Sequence, residues 1–426
     1  MISFILADLR RFKGGALAVV VLIALSVALS VAVTLQERAV RLGSARAAEK
    51  FDLVVGAAGS ETQLALSAVF LQPSPLPLMS GAVLEKLARD PRVSFAAPVG
   101  FGDSADGRPV VGTTTALVTA LSPTLAEGAV FARLGEAVIG ADVPMRLGAQ
   151  IKPMHGAADS GGHTHVELAY TVRGRMAPTG TAWDRAILVP IRAVWQLHGM
   201  GAETEHEHEH GHGHDHGDEA PDGAATEDHD HAVHVEPDAA LDEHFDAETP
   251  GIPAVLVKPK TMGDAYRLRQ EYRSETTLAV FPAEVLTRLY ATLGDARSLL
   301  LAIAIATQAI VVAAILLVTI MHVGARRRQI GALRAFGAPR RAVFAIVWGE
   351  LFLLLLAGFA LGLAVGYGAA RAISAALASA TAVHMPVEFA RADLPLAMWF
   401  AALAVLVSIV PALSALRLSP AAALRA

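Results

Sequence analysis

The chemistry most plainly written into this chain is metal ligation. His206, His208, His210, His212, His214 and His216 alternate with Glu, Gly and Asp; His229, His231 and His234 follow, with His244 behind them. Neutral imidazole is a common ligand for zinc, nickel and copper, and neighbouring carboxylates add oxygen ligands and negative potential. Between Ala202 and Thr249 there are 17 Asp and Glu and no Lys or Arg. A stretch with so few large apolar residues has no core to bury. The reading is therefore a disordered acidic loop, 201–250, with several interchangeable metal sites in place of one rigid cage. Two uses stay open, a zinc function and a solvated loop that chelates incidentally. A purification tag is a poor fit, because the histidines are internal and interrupted. His163, His165 and Glu167 form a smaller group at the start of an alternating segment. Residues two apart on a strand share a face, so the three can converge, and a surface histidine pair explains them as well.

Other chemistries find no residues. There is no cysteine, hence no thiolate and no disulfide, although many extracytoplasmic domains manage without either. No Gly-x-x-x-x-Gly-Lys-Ser/Thr loop, His-Glu-x-x-His pair or Gly-x-Ser-x-Gly elbow occurs. No catalytic residue is expected, and the chain does not read as an enzyme. It carries no basic patch interleaved with aromatics, so nucleic acid is not an expected partner.

The elements that must carry these residues are largely membrane spans. The chain is 54% apolar and 18% charged, with mean hydropathy +0.46, and its apolar residues come in blocks. Its net charge of −5 becomes +12 once the acidic stretch is set aside. Four segments approach or exceed the roughly 20 residues a bilayer requires: Ala16 to Leu35, Ser298 to Ala325, Ala342 to Ala370 (interrupted only by Glu350), and Leu394 to Leu416. Arg10, Arg11 and Lys13, then Arg326, Arg327, Arg328, Arg334, Arg340 and Arg341, then Arg417 and Arg425 belong on one side. Both termini and the Arg-rich loop are thus expected in the cytoplasm, with 36–297 and 371–393 outside. The first span exceeds a usual signal-peptide core and lacks a clear cleavage site, so it is expected to be retained. The spans hold few ionisable groups, which argues against an ion-coupled carrier. Gly358, Gly362 and Gly366 fall near one face of the third span, where a second helix can approach closely, from within the subunit or from another copy.

The outer segment reads as mixed α/β. Strands are expected at Phe51 to Val55, Val93 to Ala97, Val166 to Gly174 and Ala186 to Val189, with a helix at Ala82 to Arg89 after Ser80. Ala254 to Val257, Gly263 to Tyr272 and Leu278 to Phe281 read as β-α-β. From Pro282 the apolar spacing turns helical and is expected to run unbroken into the second span.

Arg326-Arg-Arg-Gln-Ile-Gly-Ala-Leu-Arg-Ala-Phe-Gly-Ala-Pro-Arg-Arg341, with Glu350 and the glycine-spaced span behind it, resembles the core of FtsX-like permeases. That superfamily includes the macrolide-export (MacB-type) and lipoprotein-releasing transporters. Leu418-Ser-Pro-Ala-Ala-Ala-Leu-Arg425 resembles the family's usual ending. Glu136 to Asp142 and Trp183 to Pro190 resemble parts of the MacB-type periplasmic core domain, and Phe51 to Ser60 resembles a bacterial subgroup of such permeases.

The resemblance implies a homodimeric permease in the bacterial inner membrane, with a cytoplasmic ATP-binding-cassette ATPase on each protomer. ATP would act only through that separate subunit. Ile330, Leu333, Arg334, Phe336, Gly337 and Pro339 are the implied ATPase-coupling contact, with Leu333 and Phe336 its apolar centre. Arg326, Arg327 and Arg328 sit at the membrane edge, where topology alone accounts for most of their charge. Such permeases resemble mechanotransmitters that move an outer domain. The histidine-rich stretch and the missing fused ATPase depart from the MacB pattern.

The resulting expectation is an α-helical membrane protein with four transmembrane helices and a large mixed α/β extracytoplasmic domain between helices 1 and 2. Its map is 1–40 (N-terminus and first helix), 41–200 (first part of the MacB-like domain), 201–250 (acidic insert), 251–297 (second part and stalk) and 298–426 (helices 2–4, coupling loop 326–341). Its role is export or mechanotransmission, linked to zinc and to a periplasmic or outer-membrane partner. The rival is a non-transporting scaffold that activates an extracytoplasmic partner such as a cell-wall hydrolase. A zinc importer fits poorly, since those commonly have many spans and little outer domain.

Overall fold

The computed structural model describes residues 13–72, 74–155, 163–164, 168–200, 235–292, single helical positions between 302 and 316, and 338–416. The chain divides into two compact units: 1–44, 289–380 and 384–426 form one, and 45–288 with 381–383 form the other.

The first unit is helical. Helix α1 runs Lys13–Ala48, and from Ala16 to Leu35 it meets no charged residue, so nothing in the sequence interrupts its apolar surface. Two further long helices lie C-terminal, Arg340–Thr381 and Leu394–Leu416, which become α8 and α9 below. The helix starting at Arg340 follows Pro339, whose carbonyl accepts from the Ala342 and Val343 amides. Proline restricts the preceding residue and favours a boundary of this kind. Among the described residues, α1 and the 42-residue Arg340–Thr381 helix are long and apolar enough to cross a membrane. The latter outruns the expected span 342–370 by eleven residues at its C-terminal end. The Leu394–Leu416 helix has 23 residues and no charged side chain. Most of the expected second span, 298–325, lies outside the described residues.

The second unit is α/β. Its elements are β1 (Leu53–Ala57), α2 (Glu61–Phe70), α3 (Gly81–Arg89), β2 (Val93–Ala105), β3 (Arg108–Thr113), α4 (Thr115–Leu121), β4 (Leu125–Gly128) and β5 (Glu136–Ile139). Next come β6 (Gln150–Ile151), β7 (Met154–His155), β8 (His163–Thr164), β9 (Tyr170–Met176), β10 (Ile187–Pro190) and α5 (Ile191–Leu197). The chain continues with β11 (Ala254–Pro259), α6 (Met262–Glu271), β12 (Thr277–Val280) and α7 (Pro282–Thr292), before α8 (Arg340–Thr381) and α9 (Leu394–Leu416).

The strands form one mixed sheet in the order β12-β1-β11-β2-β3-β10-β5-β9-β4, with β6 on β9 and β7 joining β2 to β8. Strand β2 joins the two halves of the sheet: 93–99 pair with β11, and 100–105 pair with β3. The register breaks between Gly100 and Asp103, where Gly102 takes a positive φ of 144°. A bulge with glycine bends a strand and re-aims the residues beyond it.

Both faces of the sheet are buried. On β1, Val54 packs with Leu64, Ala68 and Val118 from α2 and α4, while Leu53 and Val55 pack with Leu84, Leu87 and Leu268 from α3 and α6. Strand β11 splits in the same way, Ala254 and Leu256 to one side, Val255 and Val257 to the other. Doubly covered strands read as continuous apolar runs, and LVV, ILV and AVLV are such runs. A third core lies under α5, where Ala193, Val194 and Leu197 meet Ile139, Tyr170, Val172, Ile187 and Val189.

One expectation changes. The acidic segment is ordered from residue 235 onward: Val235 and Phe245 are buried, Arg133 pairs with Asp238 and Arg192 with Asp242, and Glu243 accepts from the Thr115 amide and hydroxyl at 2.5 and 2.6 Å. Its few apolar side chains suffice because they enter cores supplied by other elements. Strands β11 and β12 form the expected β-α-β with α6; they run parallel to each other on either side of β1, which is antiparallel to both. The expected passage of α7 into the next span crosses 293–300, outside the described residues.

Candidate functional site

The helical unit is organised by a seam of missing side chains. Gly358, Gly362 and Gly366 on α8 are buried against α1. A Cβ built on Gly358 would stand 2.7 Å from Ile23 Cβ; on Gly362, 2.6 Å from Val27 Cβ; on Gly366, 2.9 Å from Val31 Cβ. The Val20, Ala24 and Ala28 carbonyls are equally close, at 3.1, 2.8 and 2.8 Å. Both helices place their contact residues four apart, so the ridge of one runs along the groove of the other. The glycines thus pack within this chain. Gly368, two residues on, has nothing within 4 Å of a built Cβ.

The C-terminal part of α1 is tied to the other helices by polar contacts. Arg38 donates both terminal nitrogens to Asp393, at 2.7 and 2.5 Å, and also to the Glu388 carbonyl. Asp393 in turn accepts from the Ala390 amide and ends the short turn, Arg391–Asp393, ahead of α9. Gln36 accepts from Ser374 at 3.2 Å, Tyr290 donates to Ser44 at 2.8 Å, and Tyr367 stacks on Phe389. Glu350 is buried in the apolar stretch of α8.

Of the expected coupling residues, Pro339 is at the start of α8 and exposed. Ile330, Leu333, Arg334, Phe336 and Gly337 lie outside the described residues, as do Arg326, Arg327 and Arg328 and the nine histidines from His206 to His234. Among the described residues no group of three or more His, Cys, Asp and Glu is gathered closely enough to hold a metal. His163 is in β8, while His165 and Glu167 fall outside.

In the α/β unit, the two segments that suggested a MacB-like domain meet each other. Strand β5 pairs with β10 through Ile139–Ile187 and Val138–Leu188. Beyond the strands, the Gly140 amide donates to Ala186 O at 2.9 Å and the Asp142 amide to Asp184 O at 2.8 Å. Gly140 has no room for a side chain, since a Cβ would stand 2.3 Å from Asp184 O. Asp184 is buried and accepts from the Thr179 amide, the Thr179 hydroxyl and the Gly180 amide at 2.8, 2.8 and 2.7 Å. That knot holds Trp183 in the core beside Phe51.

One group of ionisable residues escaped the sequence reading. Asp103 follows the β2 bulge with its side chain almost wholly buried, and His198 Nε2 lies 3.3 Å from its Oδ1. His198 Nδ1 lies 2.8 Å from the Val194 carbonyl. The Asp103 carboxylate raises the His198 imidazole above its ordinary pKa, against the opposing effect of burial. Tyr170, fully buried, has a phenol raised by burial and further by Asp103, and its hydroxyl has no hydrogen-bond partner among the described residues. Asp103, Tyr170 and His198 are too far apart in sequence for any spacing to connect them.

Residues 301–420 match a family model described as the FtsX-like permease C-terminal. No curated protein matches the chain. Among solved structures, the periplasmic region of MacB from Actinobacillus actinomycetemcomitans is similar at 7% identity and a TM-score of 0.31, over 57% of this chain and 95% of that one.

Proposed function

We propose that this chain, which carries an FtsX-like permease region at 301–420, is the membrane subunit of an ATP-binding-cassette system. FtsX-like permeases are membrane components that work with a cytoplasmic ATPase. The family match carries the reading, and the membrane-length helices α1 and α8 with their glycine seam support it. In this reading four helices cross the bacterial inner membrane and both termini lie in the cytoplasm. The α/β unit then faces outward, two copies associate, and Leu333 and Phe336 dock on the ATPase. Hydrolysis there moves the outer domain for export or mechanical signalling. The histidines of 206–234 add a zinc-responsive element that senses, buffers or recruits.

The test is co-purification, from membranes, of the chain with the ATPase encoded beside it, and ATPase assay of the complex with and without zinc. A stable complex that weakens on Leu333→Asp or Phe336→Asp supports the coupling contact. No complex with any ATPase, or one indifferent to both substitutions, refutes it. A zinc response lost on removal of 203–234 supports the metal link; a response that survives the deletion refutes it. That deletion spares Val235, Leu241 and Phe245, which pack into the α/β unit. A complex that turns over ATP, exports nothing and activates a neighbouring cell-wall hydrolase identifies the non-transporting scaffold.

A further inference from the structure

His198 closes α5 onto the sheet with both nitrogens of its ring engaged. Nδ1 lies 2.8 Å from the Val194 carbonyl, one turn back on the chain, and Nε2 lies 3.3 Å from Asp103 Oδ1. A carbonyl and a carboxylate only accept, and a neutral imidazole carries a single N–H. The neutral ring therefore satisfies one of these oxygens and turns a lone pad-free nitrogen on the other; the imidazolium donates to both at once. The Asp103 carboxylate first, and the Val194 carbonyl after it, favour that charged form against the opposing effect of burial.

The contact ties together two joints of the α/β unit. Asp103 ends the β2 bulge, between the half of the sheet that pairs with β11 and the half that pairs with β3. His198 ends α5, and Gly199 turns the chain away with a φ of 64°. The carboxylate side chain is 2% exposed and the imidazole 19%, so solvent protons reach the ring while the charge it covers stays buried. On α5 itself, Arg192 is taken up by Asp242 and the His244 carbonyl. Arg108 stands at the start of β3, and β10 has no charged residue. On β9, Arg173 and Arg175 pair with Glu136 and Glu127. The Tyr170 phenol, pushed up by burial and then by Asp103, stays neutral well beyond physiological pH. His155 on β7 takes the register position opposite Asp103.

We propose that the His198–Asp103 pair is a pH-sensitive latch, which clamps the end of α5 to the β2 bulge while the ring is protonated and opens when the proton leaves. Once the ring is neutral, two acceptors face each other across the contact, and the carboxylate gains by meeting water instead. His198 holds its proton more tightly in the folded chain than in the unfolded one. The clamp is therefore complete below the unfolded value of about 6.5 and is lost as pH rises through the higher folded value. A single proton limits the change in the closed-to-open ratio to about tenfold per pH unit. The latch goes beyond the permease reading and stands whether or not an ATPase binds.

The full chain in lipid nanodiscs, with a chelator present to keep metal off its histidines, is followed by hydrogen–deuterium exchange from about pH 6 to about pH 9, spanning the window above. Each rate is corrected for the intrinsic pH dependence of amide exchange. The expected result is exchange that quickens with pH in peptides covering 100–105 and 192–200, by up to about tenfold per unit, with β1 and β11 unchanged. His198→Gln, neutral throughout, should abolish that dependence, and Asp103→Asn should move its midpoint to lower pH. Thermal unfolding at the acid end shows whether each variant is folded, and where one is not, the other decides. His155→Gln should keep the parent's profile. A flat profile in the parent, a profile unchanged in whichever variant folds, or one lost in His155→Gln and kept in His198→Gln overturns the latch.

Discussion

Replacing Gly362 by alanine tests whether the α1–α8 seam holds the helical unit together. A methyl group there would meet Val27 Cβ at 2.6 Å and Ala24 O at 2.8 Å. Ordinary carbon contacts lie at about 3.5–4.0 Å, so the helices must separate by about an ångström or leave their rotamers, at roughly 1–3 kcal/mol. Alanine also removes the helical penalty of glycine, about 1 kcal/mol in the opposite direction. Gly368→Ala, on the open side of the same helix, feels only the second effect. The two variants should therefore differ by about 2 kcal/mol, or about 30-fold in the equilibrium between packed and separated helices. The chain has no cysteine, so a disulfide reporter has no background. Gln36→Cys with Ser374→Cys replaces a contacting pair on α1 and α8. Its oxidative cross-linking should slow markedly with Gly362→Ala, nearly vanish with Gly362→Leu, and hold or improve with Gly368→Ala. Unchanged cross-linking in Gly362→Leu would refute the packing argument.

Asp184→Ala strands two buried donors at Thr179 and a half-buried one at Gly180, and at about 1–3 kcal/mol per unsatisfied buried group the α/β unit should lose about 3 kcal/mol; denaturant unfolding reads the loss, which Asp184→Asn should roughly halve. Asp90, held below the usual carboxylate range chiefly by its hydrogen bond to Arg92, and Glu271, held below it by Lys86 and then Arg92, give a pH dependence. Their folded values lie below the unfolded ones, so their stabilisation is complete above an unfolded value of about 4 and disappears as pH falls through the folded values. Arg92→Ala should thus lose up to about 1 kcal/mol at pH 7, a screened surface pair being worth no more, and the gap from the parent should close on acidification. Arg38→Ala leaves the partly buried Asp393 carboxylate without its bidentate partner and should slow the same cysteine cross-link, with recovery in the double variant Arg38→Asp, Asp393→Arg.

Local patterns in the sequence were enough to locate much of the fold. The strand at 254–257, the helices at 82–89 and 263–272, and the helical turn at Pro282 reappear within about two residues. Each has a local cause: Ser80 and Thr261 cap their helices, accepting from Ala82 and Asp264, and β11 is an uninterrupted apolar run. Strand β2 reads as five residues and extends to thirteen because its second half holds Pro98, Gly100, Gly102 and Asp103, which local propensity counts against a strand. Pairing with β11, β3 and β7 overrides that preference. Strands β3 and β5 are short and acquire their strand character only between neighbours.

The apolar blocks, the sign of the charges flanking them and the glycines four apart are one-dimensional features, and a bilayer or a helix reads them at short range. Membrane-length helices and an α/β unit were accordingly legible in the sequence. What packs on Gly362, how Glu136–Asp142 meets Trp183–Pro190, and why residues 235–250 are ordered depend on which distant segments the fold brings together. The pairing of Asp103 with His198 is the clearest case. Contiguous histidines draw the eye to 206–216, yet the carboxylate that meets the His198 imidazole comes from a strand 95 residues earlier, and burial of the cores around β2 and α5 is what brings the two together.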